Sequence, residues 1–113
     1  KIGNGNIILP GVYIGVGSDL CNCNRFEPHV VLSHDNSLGN FNFISTNVVA
    51  GGRCCIANNC FVGLNSTVKS GILIDDYSLV GQGTNVLQST DKYGVYVGNP
   101  AKKIKNNSLE SKI

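Results

Sequence analysis

The stretch IANNCFVGLNSTV, residues 56 to 68, determines how the rest of this sequence is interpreted. It places an apolar residue at every sixth position, and the same frame continues through most of the chain. No helix has a period of six, whereas short strands separated by regular turns can have it. A unit of six residues cannot bury its own apolar face, so successive units must stack into one continuous core. The members of the frame, all apolar, are Ile2, Ile8, Ile14, Leu20, Phe26, Leu32, Leu38, Ile44, Ala50, Ile56, Val62, Val68, Ile74, Val80 and Val86.

The same run resembles the hexapeptide-repeat acyltransferases, which fold as left-handed parallel β-helices, and the resemblance covers essentially the whole chain. In that family three hexapeptides form one triangular coil, so residues 2 to 91 imply an all-β fold of about five coils. Residues 18 apart should then stack in adjacent coils, with the first and fifth positions of each hexapeptide pointing inward. The segment YGVYVGNPAKKIK, residues 93 to 105, resembles the family's closing segment. In that segment Gly-Asn-Pro turns the chain out of the helix, and a short tail or helix follows. We therefore expect the β-helix over residues 1–92 and the closing segment and tail over residues 93–113.

The composition narrows the possible classes of function. With 113 residues the chain has the size of one domain, and its net charge of +2 comes mainly from lysines near the C-terminal end. That charge is too small and too terminal for a nucleic-acid surface, and no apolar run is long enough to span a bilayer. No signal peptide is visible, so we expect a cytoplasmic protein. The chain starts with Lys1 inside a patterned segment instead of with Met, and we therefore expect a fragment or a processed chain.

The five cysteines are Cys21, Cys23, Cys54, Cys55 and Cys60. None has the CxxC spacing of a zinc site, and their odd number argues against a disulfide framework. No two are 18 residues apart, so none should stack on another. We expect reduced thiols and no metal. The two histidines of the chain cannot supply the three zinc ligands of the γ-class carbonic anhydrases, which share the β-helix fold.

The segment VVLSHDNSLGNFNFIS, residues 30 to 45, resembles the sialic-acid O-acetyltransferases and the related N-acetyltransferases of nucleotide-linked amino sugars. In these enzymes a His followed by Glu or Asp is the catalytic pair, which implies His34 as general base and Asp35 as its partner. An imidazole titrates near neutral pH and can take the proton of an attacking hydroxyl or amine, while a carboxylate holds its tautomer. The resemblance also assigns oxyanion stabilisation of the bound thioester to the backbone N–H of Gly52. The alternative for His34 is a solvated turn, which is how we interpret His29.

The resemblance implies acetyl-CoA as the acyl donor, lying along the β-helix in a groove between two subunits. The family positions that line this groove correspond to Leu64 and Gln82, which are 18 residues apart and belong to one column. Two positions depart from the family pattern. Gln82 stands where close relatives have glycine, and Phe43 stands where some have a second histidine that could contact the cofactor. Lys102 could meet the coenzyme A phosphates as a point charge, and a solvated tail is the alternative.

An apolar column at the outward sixth positions predicts an interface. Its members are Ile7, Arg25, Phe43, Phe61, Leu79 and Val97. The resemblance implies threefold closure, so we expect a homotrimer with active sites between subunits. The predicted function is acetyl transfer to a hydroxyl or amine of a sugar, free or nucleotide-linked, in bacterial surface-glycan biosynthesis. The open alternative is a catalytically inactive β-helix that serves as a trimerisation module. The acceptor, and whether its oxygen or its nitrogen is acetylated, stay open.

Overall fold

Most hexapeptides of the frame form one short strand followed by a turn in the computed structural model, which describes residues 1–107. β-Branched and apolar residues predominate in the strands, whereas Gly, Asn and Asp recur in the turns, so the alternation follows local preferences. The two-residue strands are β1 (Ile7–Ile8), β2 (Tyr13–Ile14), β3 (Asp19–Leu20), β4 (Arg25–Phe26), β5 (Val31–Leu32), β6 (Ser37–Leu38), β7 (Phe43–Ile44), β8 (Val49–Ala50), β9 (Cys55–Ile56), β10 (Phe61–Val62), β11 (Thr67–Val68), β12 (Leu73–Ile74), β13 (Leu79–Val80) and β14 (Asn85–Val86). Two longer strands follow, β15 (Gly94–Val97) and β16 (Lys102–Asn106).

The strands form three sheets, which are the faces of a triangular prism. Sheet 1 contains β1, β4, β7, β10, β13 and β15, with β16 added at its edge. Sheet 2 contains β2, β5, β8, β11 and β14, and sheet 3 contains β3, β6, β9 and β12. From β1 to β11, each strand pairs in parallel with the third strand after it, and the paired residues are 18 apart, as in Phe43 with Phe61. The predicted 18-residue coil is thereby confirmed.

Two columns of turns form the corners of the prism that matter for the site. Corner 1/2 joins sheet 1 to sheet 2 and consists of residues 9–12, 27–30, 45–48, 63–66 and 81–84. Corner 2/3 joins sheet 2 to sheet 3 and consists of residues 15–18, 33–36, 51–54, 69–72 and 87–90. Side chains at the third and fourth positions of the hexapeptides therefore line up along these corners.

The inside of the prism is filled by the first and fifth positions of the hexapeptides. Every first-position residue from Leu20 to Val86 is buried, as the repeat predicts. Ile2 and Ile8 lie at the open end of the stack and are 54% and 40% exposed. One continuous apolar core therefore runs along the axis, because each coil is covered by the next.

Several buried fifth positions are polar, and Asn42 shows how their burial is balanced. Its Nδ2 donates to the Ala57 carbonyl at 2.9 Å, and its Oδ1 accepts from the Cys60 N–H at 2.9 Å. Asn24 makes the equivalent pair of bonds one coil earlier. These side chains satisfy backbone groups at a corner, where strand pairing is interrupted, and so hold adjacent coils in register.

The last coil departs from the expected register. β15 pairs with β13 through Leu79 and Val95, which are two residues closer in sequence than the partners in the other coils. The prediction that Val97 stacks on Leu79 is therefore wrong. The coil is shorter because it lacks a strand in sheet 3, where the Ser89 hydroxyl accepts the Leu73 N–H at 3.0 Å in place of a backbone carbonyl.

The closing segment turns out of the β-helix at residues 98–101, which include a cis Asn99–Pro100 bond. The Gly-Asn-Pro turn lies where it was expected, between β15 and β16, but the described part of the expected tail or helix is a strand. β16 runs antiparallel to β15, because that free edge offers unpaired N–H and C=O groups. The rest of the expected tail, residues 108–113, lies outside the described residues. Within residues 1–107 there is no helix of the length and apolarity needed to cross a membrane.

Candidate active site

His34 and Asp35 form the turn between β5 and β6, at corner 2/3. Two backbone bonds hold this turn between the neighbouring coils: the Asp35 N–H donates to the Val16 carbonyl at 2.9 Å, and the Arg53 N–H donates to the His34 carbonyl at 3.0 Å. Asp35 has a left-handed backbone with φ 52°, which Asp tolerates better than most residues. The two side chains are 43% and 55% exposed, so both lie outside the core, as their repeat positions predict.

The imidazole of His34 contacts the carboxylate of Asp35, with 3.1 Å between Nδ1 and Oδ2. A proton on Nδ1 can be donated to this carboxylate, which leaves the lone pair of Nε2 available as an acceptor. A neutral imidazole held in this tautomer can take the proton of a hydroxyl or amine within hydrogen-bond reach. The geometry of the pair is therefore that of a general base with an orienting partner.

Gly52 lies directly beside the imidazole in the next coil. A Cβ at position 52 would stand 2.2 Å from His34 Cε1 and 2.3 Å from Nε2, so any side chain there would displace the ring. The imidazole itself thus takes the space beside this glycine. The glycine is required here because the two groups approach so closely.

Ser70 is a residue of this corner that the sequence analysis did not single out. Its hydroxyl oxygen accepts the N–H of Gly52 at 3.1 Å. The resemblance assigns that same N–H the role of stabilising the oxyanion. The predicted donor is therefore already hydrogen-bonded to a serine hydroxyl. The column His34, Gly52, Ser70 and Gln88 was visible in the 18-residue spacing, and reading it for hydrogen-bond donors would have found Ser70.

Leu64 and Gln82 lie in a groove of about 490 Å³ along corner 1/2. The groove is lined by Ser45, Phe61, Gly63, Leu64, Leu79, Gly81 and Gln82. Phe43 borders it indirectly, because its ring stacks on that of Phe61 with 5.4 Å between the ring centroids. A mostly apolar groove that also contains the polar side chains of Ser45 and Gln82 can hold an extended, amide-bearing chain.

Lys102 lies in a second cavity, of about 480 Å³, at the C-terminal end of corner 2/3. Gln88, the last residue of the His34 column, lines the same cavity. The neighbouring Lys103 is paired with Asp91, with 3.2 Å between Nζ and Oδ2, whereas Lys102 has no ion pair with the residues that the structure describes. This end of the corner can therefore attract an anion.

The structure brings together only part of the predicted site. His34, Asp35, Gly52 and the Lys102 cavity share corner 2/3, whereas Leu64, Gln82 and Phe43 belong to corner 1/2 and sheet 1. Sheet 2 lies between the two corners. Within one chain, therefore, the groove and the His34–Asp35 pair do not form a single pocket.

The remaining candidate groups are structural. Burial raises the pKa of the Cys60 thiol to about 12 from its ordinary value of 9.0, so it stays protonated and is a poor nucleophile. His29 has φ 65° and lies in the turn before β5, which fits its interpretation as a turn residue. Among residues 1–107, no three His, Cys, Asp or Glu side chains are grouped so as to hold a metal ion.

The comparisons with known proteins agree with this architecture. AntD, an N-acyltransferase from Bacillus cereus crystallised with dTDP and 3-hydroxybutyryl-CoA, superposes with a TM-score of 0.88 at 18% identity, covering 95% of this chain and 72% of that one. The fold is that of the hexapeptide-repeat acyltransferases. The acetyltransferase domain of PglB from Neisseria gonorrhoeae, crystallised with acetyl coenzyme A, gives a TM-score of 0.77 at 20% identity, covering 88% of this chain and 55% of that one. The predicted left-handed parallel β-helix of about five coils is confirmed.

Similarity in sequence is more local. The chain is 36% identical over 62 residues to a probable macrolide acetyltransferase of Lysinibacillus sphaericus. The match covers 55% of this chain and 34% of that protein, so the chain spans about a third of the relative's length. No protein-family model matches the sequence.

Proposed function

We propose that this chain is an acetyl-CoA-dependent acetyltransferase that acts on a hydroxyl or amine of a sugar, free or nucleotide-linked, in bacterial surface-glycan biosynthesis. The observation that carries the proposal is the His34–Asp35 pair on an outward corner of a β-helix. Its Nδ1 contacts the carboxylate at 3.1 Å, and a glycine in the next coil leaves room for the ring. The likeness to acyltransferases in fold, and to an acetyltransferase in sequence, supports the same reaction class.

In the proposed reaction, His34 acts as general base. Its Nε2 takes the proton while the acceptor oxygen or nitrogen forms a bond to the thioester carbonyl carbon. The negative charge that develops on the carbonyl oxygen is stabilised by a donor near Gly52. When the tetrahedral intermediate collapses, the carbon–sulfur bond breaks and the proton passes from His34 to the coenzyme A sulfur. The products are the acetylated acceptor and free coenzyme A, and no acyl-enzyme forms.

The donor is proposed to lie along corner 2/3. From His34 to Gln88 the corner spans three coil spacings, or about 14 Å at the usual separation of paired strands. An extended acyl-pantetheine chain can follow this distance with its thioester at His34. Its phosphates then reach the cavity that contains Lys102, whose ammonium group is unpaired within the described residues.

We propose a homotrimer because the two halves of the site lie on different corners of one chain. If corner 1/2 of one subunit faces corner 2/3 of the next, Leu64 and Gln82 complete the donor groove. The apolar column on sheet 1 supports such contact, since Phe43 and Phe61 are stacked on the surface and are 36% and 39% exposed. Exposed apolar columns of this kind mark interfaces.

Separate observations support the acceptor and the location. AntD was crystallised with dTDP, which supports a nucleotide-linked sugar as the acceptor of this chain. The likeness to a probable macrolide acetyltransferase makes a macrolide hydroxyl the second acceptor to screen. The described cysteines are all free, which supports the cytoplasm as the location, where acetyl-CoA is also available.

The test is calorimetric titration of the wild-type protein and His34→Ala with acetyl-CoA, followed by acetyl-transfer assays with amino-sugar nucleotides, simple sugars and macrolides. We expect micromolar binding to both proteins, and transfer by the wild type alone, because His34 acts on the proton and contributes little to donor affinity. A folded trimer that binds no acetyl-CoA would refute the enzyme and favour the inactive trimerisation module. Equal transfer by both proteins would refute His34 as the base.

A further inference from the structure

We infer that the hydroxyl of Ser70 donates the hydrogen bond that stabilises the oxyanion during acetyl transfer, an inference that rests on the proposed function. Ser70 occupies the third position of its hexapeptide, like His34, and points outward from corner 2/3. Its oxygen accepts the Gly52 N–H at 3.1 Å. In the hydrogen bonds of residues 1–107, Ser70 Oγ acts only as an acceptor, and the residue is exposed. Its proton is therefore available to a bound group.

The position of Ser70 relative to the base fits the reacting atoms. A Cβ on Gly52 would lie 2.3 Å from His34 Nε2, and the Gly52 nitrogen lies 3.1 Å from Ser70 Oγ. With standard backbone geometry, these contacts keep Nε2 and Oγ within about 8 Å of each other. A nucleophile bonded to a thioester carbonyl group bridges this distance, with one hydrogen bond at each end.

The hydrogen bond from Gly52 favours donation by Ser70 over direct donation by the backbone. A hydroxyl that accepts from an N–H becomes a better donor, because the aligned dipoles polarise each other. The bond also fixes the hydroxyl oxygen before the substrate arrives, which is the preorganisation that an oxyanion donor requires. For the Gly52 N–H to contact the oxyanion itself, the Ser70 side chain must first rotate away and lose its bond.

This arrangement also explains why the glycine and the serine occur together. Gly52 leaves space for the imidazole and supplies an N–H that binds the Ser70 oxygen. The Ser70 hydroxyl in turn presents its own proton at the surface of the corner. On one side of the carbonyl group, the attacking hydroxyl or amine of the substrate gives its proton to His34. The developing negative charge meets Ser70 on the other side.

The experiment compares the wild type with Ser70→Ala and Ser70→Thr, and uses Ser37→Ala as a control on an exposed strand position. Acetyl-CoA labelled with ¹³C at the carbonyl is bound to each protein, and isotope-edited infrared spectroscopy measures the carbonyl stretch. Steady-state kinetics with the acceptor found by screening supplies kcat and KM, and thermal unfolding supplies Tm. The infrared measurement needs no acceptor.

We expect a lowered carbonyl frequency in the wild type, Ser70→Thr and Ser37→Ala, and a frequency close to that of free acetyl-CoA in Ser70→Ala. We also expect kcat to fall by about 10²-fold in Ser70→Ala with an unchanged KM for acetyl-CoA, the loss typical of one oxyanion donor. Bound acetyl-CoA with the same frequency in the wild type and Ser70→Ala, or an undiminished kcat, would overturn the role of Ser70 while leaving the proposed function intact. No binding to the wild type would refute the proposed function itself, and the role of Ser70 with it.

Discussion

Gly52→Ala is the sharpest perturbation that the structure offers, because one methyl group acts on one ring. The new Cβ would lie 2.2 Å from His34 Cε1, whereas carbon atoms in contact stay about 3.5 Å apart or more. The imidazole must therefore move by roughly 1 Å, which disturbs its contact with Asp35. A misplacement of that size costs about 10²-fold in rate.

The expected result is a 10²-fold fall in kcat with little change in stability. The imidazole is 43% exposed and can swing outward without disturbing the core. The assay is the initial rate of acetyl transfer, measured for Gly52→Ala, His34→Ala and the double variant. The two substitutions act through one ring, so Gly52→Ala should cost nothing further once His34 is gone.

¹⁵N chemical shifts of the His34 ring give a second readout that needs no acceptor. We expect the tautomer with a proton on Nδ1 in the wild type, and a mixture in Gly52→Ala, because the displaced ring no longer holds its contact with Asp35 at 3.1 Å. An unchanged kcat in Gly52→Ala would refute this reasoning. An equal loss in the presence and absence of His34 would refute it too, since the methyl group would then act elsewhere.

Three further predictions concern the fold and its assembly. Asn42→Ala removes the buried hydrogen bonds to the Ala57 carbonyl and the Cys60 N–H, and should lower the free energy of unfolding by about 2–4 kcal/mol. The control Asn22→Ala, at an exposed position, should lower it by less than about 1 kcal/mol. Urea unfolding measures both changes. Phe61→Asp places a negative charge in the mostly apolar column and should convert the proposed trimer to monomers, as sedimentation velocity would show. Burial raises the pKa of the Cys60 thiol, so the unfolded protein loses this proton at a lower pH than the folded protein does. The contribution of Cys60 to the free energy of unfolding is therefore complete below pH 9.0 and is lost as the pH rises toward about 12. Cys60→Ala should flatten this alkaline dependence, and at pH 8 iodoacetamide should label Cys21 before Cys60, as mass spectrometry would reveal.

Each of these predictions has a result that contradicts it. Equal destabilisation by the two asparagine substitutions would show that Asn42 does not hold the coils in register. A Phe61→Asp protein that sediments as the wild type does would remove sheet 1 from the interface. Labelling of Cys60 as fast as Cys21 in the folded protein would mean that the core opens at that coil.

Much of the fold could be read from the sequence because the repeat is regular. A period of six requires a turn after each short strand, and stacking three hexapeptides per coil then places residues 18 apart in contact. The pairs Phe43–Phe61 and Leu73–Cys55 follow this rule. The reading fails at Val97, where the last coil leaves out a strand. The apolar frame ends at Val86, and the next position of the frame is Lys92, but the spacing does not say how the chain continues beyond it.

The candidate site was harder to predict than the fold. The sequence pointed to His34 and Asp35 as neighbours, and the structure places their side chains 3.1 Å apart. It also grouped Leu64 and Gln82 in one column, and they share one groove. The contact of the imidazole with Gly52 could not be predicted, because side-chain orientation depends on the local turn, and the repeat position alone does not specify it.

The sequence by itself determined the repeat, the stacking of the coils, the inward and outward faces, and the two residues that can form a base. It could do so because each hexapeptide contacts only its neighbours at a constant offset, so local pattern and tertiary contact carry the same information. Only the tertiary structure decided that the imidazole rests against Gly52 and that Ser70 holds the Gly52 N–H. It alone also placed β16 on the free edge of sheet 1 and separated the groove at Leu64 and Gln82 from the His34–Asp35 pair on different corners. These features depend on the direction of individual side chains and on the end of the stack, where the repeat no longer constrains the chain.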